Sequence, residues 1–288
     1  MRAKLLVPVL AAATLGSSSC YIGDMGDSMR FHRDFHYSFP LQSNGRVSVE
    51  SFNGSVEISA WDQNTVEIDG SKWGPTPEAA DALRIDTDHT PDTVYVHAAR
   101  PADWRGSLGA RFVLKVPRGA LLDRIVTTNG AIRTEEGSGP AHLRTTNGAI
   151  RVQGLRGMVE AETTNGPMDL VDVDGDVSLH TKNGHIRAEQ LIGKVDASTS
   201  NGSIDLDLPG QVTKGVIAHT SNGAITVRLP ERAGARVVAE TSNSSIRSEF
   251  DLRVSGEFDK HRLAGVLGNG GPLIDLSTSN GAIRLLKM

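Results

Sequence analysis

From about residue 121 to the end of the chain, apolar and polar positions alternate with a period of two in short runs, and the runs recur in the same phase. Val159, Val177, Val195, Val216, Val237 and Ile274 hold one place in the pattern. Leu143, Ala161, Leu179, Ala197, Ala218, Ala239 and Leu276 follow two residues later, and a threonine two after that. Between them stand polar residues such as Arg144, Glu162, His180, Ser198, His219 and Glu240. Such alternation puts the apolar set on one face of a β-strand. A second run follows each first one. It opens with Ile132, Ile150, Met168, Ile186, Ile204, Ile225, Ile246 or Ile283, and often continues two residues on with Val152, Leu170, Ala188, Leu206, Val227 or Leu285. Each unit therefore predicts two strands of about six residues with apolar faces turned inward.

Between the two strands lies a recurring phrase, Thr-x-Asn, a small residue, one variable residue and an aliphatic. Its asparagines are Asn129, Asn147, Asn165, Asn183, Asn201, Asn222, Asn243 and Asn280, spaced by 18 residues four times, by 21 twice and then by 37. A second glycine recurs at Gly139, Gly157, Gly175 and Gly193. Asn-Gly commonly closes an antiparallel hairpin, and a meander of such hairpins is the alternative reading. Identical residues at identical offsets favour vertical stacking, so the fold expected is all-β: a parallel β-solenoid with rungs of 18–21 residues, two strands and two corners per rung. The asparagines would then form a structural ladder bonded from rung to rung, the threonines a second ladder satisfying corner carbonyls, and the glycines would supply positive φ at the corner. Eight rungs at the strand spacing make a coil roughly 40 Å tall. Outward positions Arg133, Arg151, Asp169, Arg187, Asp205, Thr226, Arg247 and Arg284 predict a column of partly alternating charge.

The longer intervals mark interruptions. Three extra residues fall at the second corner near Pro209-Gly210 and Pro230, and the last interval leaves room for a hairpin excursion near 249–271. The expected organisation is a signal peptide at 1–19, a lipid-anchored polar tether at 20–40, an N-terminal β region at 41–120 and the regular solenoid at 121–288. The N-terminal region holds one short helix from Pro77 to Arg84, with Thr76 as its cap and Pro77 at its first position.

Charge and the N-terminus set the compartment. Arg2 and Lys4, the apolar stretch Leu5 to Leu15, and the small residues before Cys20 read as an export signal, and eleven residues are too few to span a bilayer as a helix. Cys20 is the single cysteine and stands where cleavage would occur, so it is the expected lipid-bearing residue, although Ser17 occupies the place where a lipobox usually has Leu. No disulfide can form within the monomer. The formal net charge of −4 becomes −6 once Arg2 and Lys4 leave with the leader, which offers no basic field for nucleic acid.

Three groups of residues complete a resemblance: Phe52-Asn53-Gly54-Ser55-Val56-Glu57-Ile58 leading into Ala60-Trp61-Asp62 and Val66-Glu67-Ile68; Phe112-Val113-Leu114-Lys115-Val116-Pro117; and the Thr-x-Asn-Gly repeats. Over about residues 41 to 288 the chain resembles the bacterial DUF4097-type β-strand-repeat family, whose members are described as "putative adhesins". The resemblance implies a β-solenoid at the cell envelope, with no catalytic residues to carry over.

Motifs for chemistry are sparse. Asp169, Asp172, Asp174 and Asp176 are dense, but counting from Asp172 the sixth and twelfth positions of a calcium loop are Val177 and Asn183 rather than Gly and Glu. His180, His185 and His219, and His32 with His36, lack the setting of a zinc site. No nucleophile elbow or phosphate loop occurs. Trp61, Trp73 and Trp104 precede the regular coil and are expected to pack its end. Neither a metal nor a cofactor is expected. The sequence thus points to a non-catalytic envelope lipoprotein that adheres, binds or scaffolds. The membrane, through an acyl anchor at Cys20, would be one partner, and an envelope protein or glycan the other. Two alternatives stand beside it: a periplasmic regulatory lipoprotein sensing envelope stress, and a polysaccharide-active β-helix enzyme.

Overall fold

The computed structural model describes residues 30–102, 106–210, 214–254 and 259–288. Two long sheets, of 12 and 13 strands, face one another, and each rung contributes one strand to each sheet. Pairing along the repeats is parallel and in register: Val159 lies beside Val177, Val177 beside Val195, and Ile150 beside Met168, which in turn lies beside Ile186. The parallel solenoid is therefore the fold, and the hairpin meander is not. The aliphatic columns are buried in a single continuous core that also takes in Val47, Val56, Val94 and Phe112 from the N-terminal region.

That region does not form a separate layer. Arg46–Glu50 and Val56–Trp61 make a rung stacked directly on the Asn129 rung, Leu121–Thr127 and Ile132–Gly137. Thr93–Ala99 and Gly109–Pro117 make a further rung beyond it. Asn53 thus belongs to another copy of the repeat, paired with Asn129. The helix is Pro77–Ala82, two residues shorter than expected because Leu83 caps it and Arg84 already opens the next strand, while the Thr76 hydroxyl accepts from the Ala79 amide at 3.2 Å, as the sequence predicts.

Residues 31–40, expected in a polar tether, instead form a strand. Phe31–Pro40 pairs antiparallel with Thr65–Gly74, which pairs antiparallel with Gly109–Pro117. Its cause is a short alternation, Phe35, Tyr37 and Phe39, that packs against the core; the Phe35 ring lies 5.5 Å from that of Phe112. Arg84–Thr90 closes the other sheet by pairing antiparallel with Thr93–Ala99. These strands cover rung edges that would otherwise offer unpaired backbone to other chains.

At the C-terminal end the spatial order departs from the sequence. The last rung, Leu273–Thr278 and Ile283–Lys287, lies between the Asn222 rung and the Asn243 rung instead of beyond the latter. The expected hairpin exists as Leu252–Val254 against Arg262–Leu267, and Arg262–Leu267 also pairs antiparallel with Ala235–Thr241 of the Asn243 rung. Since a strand has only two edges, the hairpin takes the outer one and the chain end must stack on the inner one. Among the described residues no helix is long and apolar enough to cross a membrane.

Candidate functional site

Stacking brings the repeated corner residues into three ladders. Asn129 Nδ2 donates to the Phe52 carbonyl at 3.4 Å, and from Asn147 onward each asparagine Nδ2 donates to the Oδ1 of the rung below: Asn147 to Asn129, Asn165 to Asn147, Asn183 to Asn165 and Asn201 to Asn183, all at 2.8 Å. Asn222 continues to Asn201 at 2.9 Å, Asn280 to Asn222 at 2.8 Å and Asn243 to Asn280 at 2.7 Å. All eight predicted asparagines are therefore joined, with the last two exchanged in order. At the far end Asn53 donates instead to the Leu108 carbonyl at 2.7 Å.

The threonine ladder lies just inside. Thr127, Thr145 and Thr163 donate to the carbonyls of Gly54, Gly130 and Gly148 at 3.1, 2.9 and 3.1 Å. The same bond recurs up to Thr278 on Gly223 and Thr241 on Gly281. These carbonyls also explain the glycines, and not in the way the sequence suggests. Of the corner glycines in this column only Gly54, with φ 122°, has positive φ. Instead, a Cβ at Gly148 or Gly184 would lie 1.9 Å from the carbonyl oxygen of the glycine one rung below. Close approach, not a left-handed backbone, demands glycine.

The left-handed positions lie seven residues after the asparagines, where φ is 52° at Glu136, 67° at Gly154, 56° at Asp172 and 55° at Gln190. They form a further bend in each 18-residue rung. Sequence inspection misses it because only Gly154 advertises it. Beside these bends runs an open groove of about 660 Å³ lined by Arg118, Glu136, Gln153, Arg156, Asp172 and Gln190, among others. Arg156 donates to both carboxylate oxygens of Asp172, at 2.9 and 3.1 Å, and this bond holds the guanidinium pKa above its usual value. Arg118 bridges Asp62 and Glu136 at 3.0 and 3.2 Å.

The expected charge column forms in one step only. Arg151 meets Asp169 at 3.6 Å, but Arg187 turns along its own strand to Glu189, and Arg133 likewise to Glu135. A residue two along on the same face competes on equal terms with one a rung away, since both are exposed. Asp176 holds two later segments, accepting from the Lys194 amide at 2.9 Å and from Lys214 Nζ at 2.6 Å; the Lys214 bond, then the amide, lower its pKa.

The histidines are hydrogen-bonded surface groups. His180 meets Ser178 and Ser198, His219 meets Ser277 at 2.6 Å, and His185 lies 3.5 Å from Asp169. His32 is 3.5 Å from the Ser71 hydroxyl. His36, Glu67 and Asp69 are the one group among the described residues with three ligand atoms near one another, yet His36 is bonded to Asp69 at 2.8 Å and Glu67 to Lys115 at 2.9 Å. Trp73 packs at the coil end against Gly54 and Gly109, and Trp61 donates to the Thr65 carbonyl at 2.8 Å. Trp104 and Cys20 lie outside the described residues.

Comparison with known proteins agrees with this architecture. A crystal structure from Bacteroides fragilis described as "a putative adhesin" shares 12% identity, covers 88% of this chain and 97% of its own, and superposes with a TM-score of 0.50, a likeness of fold alone. One from Clostridium sporogenes described as "a putative cell adhesion protein" covers 89% of this chain and 100% of its own at 14% identity, with a TM-score of 0.23 that carries no argument. No curated protein matches the chain. The model of the Toastrack DUF4097 family matches residues 175–286, which hold the rungs of Asn183, Asn201, Asn222, Asn280 and Asn243. Over that segment, the chain is similar to the Toastrack DUF4097 family.

Proposed function

We propose that this protein is a non-catalytic envelope lipoprotein, anchored by an acylated Cys20, whose coil is a rigid ribbed surface for binding or scaffolding. The observation that carries the reading is the unbroken ladder of seven asparagine bonds from Asn129 to Asn243. Side chains that could do chemistry are instead spent, rung after rung, on fixing the spacing of the rungs. Both ends are closed by antiparallel strands, which suits a coil that presents its faces rather than one that polymerises through its edges. Asp172, the carboxylate on which a polysaccharide-cleaving alternative would lean, is engaged by both arms of Arg156.

Protease shaving of intact cells carrying a C-terminally tagged chain, with Cys20→Ala beside it, tests the proposal. Loss of the tag from intact cells, and release of the Cys20→Ala protein from the membrane fraction, support a surface-facing anchored coil. Tag protection until the envelope is opened supports a periplasmic scaffold or sensor. Membrane retention of Cys20→Ala would refute the anchor.

A further inference from the structure

Three of the four left-handed bends keep a side chain where glycine would be the less strained choice. Glu136, Asp172 and Gln190 have φ of 52–56°, while Gly154 occupies the same place in the rung between the first two. For residues with a Cβ this conformation is costly. A strained backbone held in several consecutive rungs suggests that the side chains are retained for what they contact. Two of the contacts are visible, Glu136 with Arg118 and Asp172 with Arg156. Gln190 makes no side-chain hydrogen bond among the described residues, although it lines the same groove.

We propose that the groove along these bends binds an extended, neutral polysaccharide running parallel to the coil axis. This deepens the binding role proposed above and rests on it. The lining is rich in planar forks: the guanidinium–carboxylate pairs of Arg118 with Glu136 and Arg156 with Asp172, and the amides of Gln153 and Gln190. Such groups present donors and acceptors side by side, the arrangement that pairs of neighbouring sugar hydroxyls require. The bends recur with the rungs, about 4.8 Å apart, close to the advance of one pyranose unit in an extended chain, and the two ion-paired forks stand two rungs apart, near the advance of two units. A neutral ligand is favoured over an acidic one because both arginines are already met by carboxylates. A protein partner is disfavoured because hot spots need large apolar or aromatic anchors, and among the described residues Val171 is the only exposed large hydrophobic that lines the groove. Val171 gives the apolar face of one sugar a place to rest. Without an aromatic platform, affinity per hexasaccharide should be weak, with a Kd on the order of 1 mM.

The test titrates the full mature chain with cellohexaose, xylohexaose and mannohexaose, and with hexagalacturonate as the acidic counterpart, following backbone amide NMR shifts. The expected result is that at least one neutral hexasaccharide moves the amides of residues 153–156, 171–172 and 190, and binds at least fivefold more tightly than its trisaccharide. Gln190→Gly and Asp172→Gly separate ligand binding from folding, because each relieves the left-handed strain while deleting the polar side chain. Each should weaken binding at least fivefold with no fall in melting temperature beyond about 2 °C. The proposal is overturned if no neutral hexasaccharide shifts these amides, if only hexagalacturonate does, or if the glycine variants bind as well as the parent. It is equally overturned if a proximity crosslinker at residue 190 captures a protein and the sugars leave the groove unmoved. Surface exposure by protease shaving combined with a silent groove would sink the glycan site and leave the anchored scaffold standing.

Discussion

Replacing Thr134 by Val should stabilise the protein, while the same change at Thr145 should destabilise it. Both side chains are buried, at 2% and 3% exposure, so the difference must come from the hydroxyl. Thr145 Oγ1 donates to the Gly130 carbonyl at 2.9 Å. Thr134 instead sits in an inner aliphatic column, between Ile58 and Val152, and its Oγ1 has no hydrogen-bond partner. An unpaired buried hydroxyl costs about 1–3 kcal/mol, and the methyl that replaces it adds up to about 0.8 kcal/mol of burial. Both side chains are β-branched, so the strand conformation is unchanged. Thr134→Val should therefore gain about 1–2 kcal/mol and, at roughly 2–4 °C per kcal/mol for domains somewhat shorter than this chain, raise the melting temperature by about 2–8 °C. Thr145→Val should lose about 1 kcal/mol. Calorimetry of the two variants with the parent decides. A void of about 10 Å³ beside Thr134 is at the lower limit for one water. A fall in stability for Thr134→Val would show that the hydroxyl is satisfied through that void, and would refute the assignment of an unpaired group.

Other consequences follow from the ladders. Asn183→Ala breaks two side-chain bonds, to Asn165 and from Asn201, whereas Asn243→Ala breaks one. Chemical denaturation should find the first about twice as costly, in the range of about 1–3 kcal/mol against about 0.5–1.5. Gly184→Ala would drive a Cβ to 1.9 Å from the Gly166 carbonyl oxygen, so the rungs must part; loss of at least about 3 kcal/mol or failure to fold is expected, and a near-neutral result in a thermal melt would contradict the close-approach account. The folded-state pKa of Asp176 lies below its usual 3.8 because of Lys214 and the Lys194 amide. Its stabilising contribution is thus present above the unfolded pKa and lost as pH falls through the folded one. Asp176→Asn should lower the melting temperature near neutrality and converge with the parent as pH falls through the folded-state pKa, and parallel curves would count against this linkage.

Much of the coil was legible because stacking demands chemical identity at fixed offsets. Every inward aliphatic column, the threonine bonds and all eight asparagines follow from the repeat. What escaped had weaker or ambiguous signals. Phe35, Tyr37 and Phe39 form only a three-residue alternation, and the strand they make pairs antiparallel, outside the repeating register. The left-handed bends at Glu136, Asp172 and Gln190 hide behind residues that seldom adopt that conformation. The exchange of the last two rungs could not come from inward residues, since Val237 and Ile274 fit the same column. It follows only once the strand Arg262–Leu267 is seen to occupy the outer edge of Ala235–Thr241. The candidate groove was hardest to foresee, because its residues are unlike one another and are gathered by backbone bends rather than by a motif.

Disulfide trapping of the C-terminal rung tests the architecture most directly. Ser277 pairs with both His219 and Glu240, so it stands between them. Parallel neighbours are about 4.8 Å apart, within disulfide reach, whereas strands two rungs apart exceed the limit of about 7 Å. In a Cys20→Ala background, His219→Cys with Ser277→Cys should oxidise readily to an intramolecular disulfide, and His219→Cys with Glu240→Cys should not. The reverse pattern would mean that the rungs stack in sequence order and that the chain end does not lie within the coil.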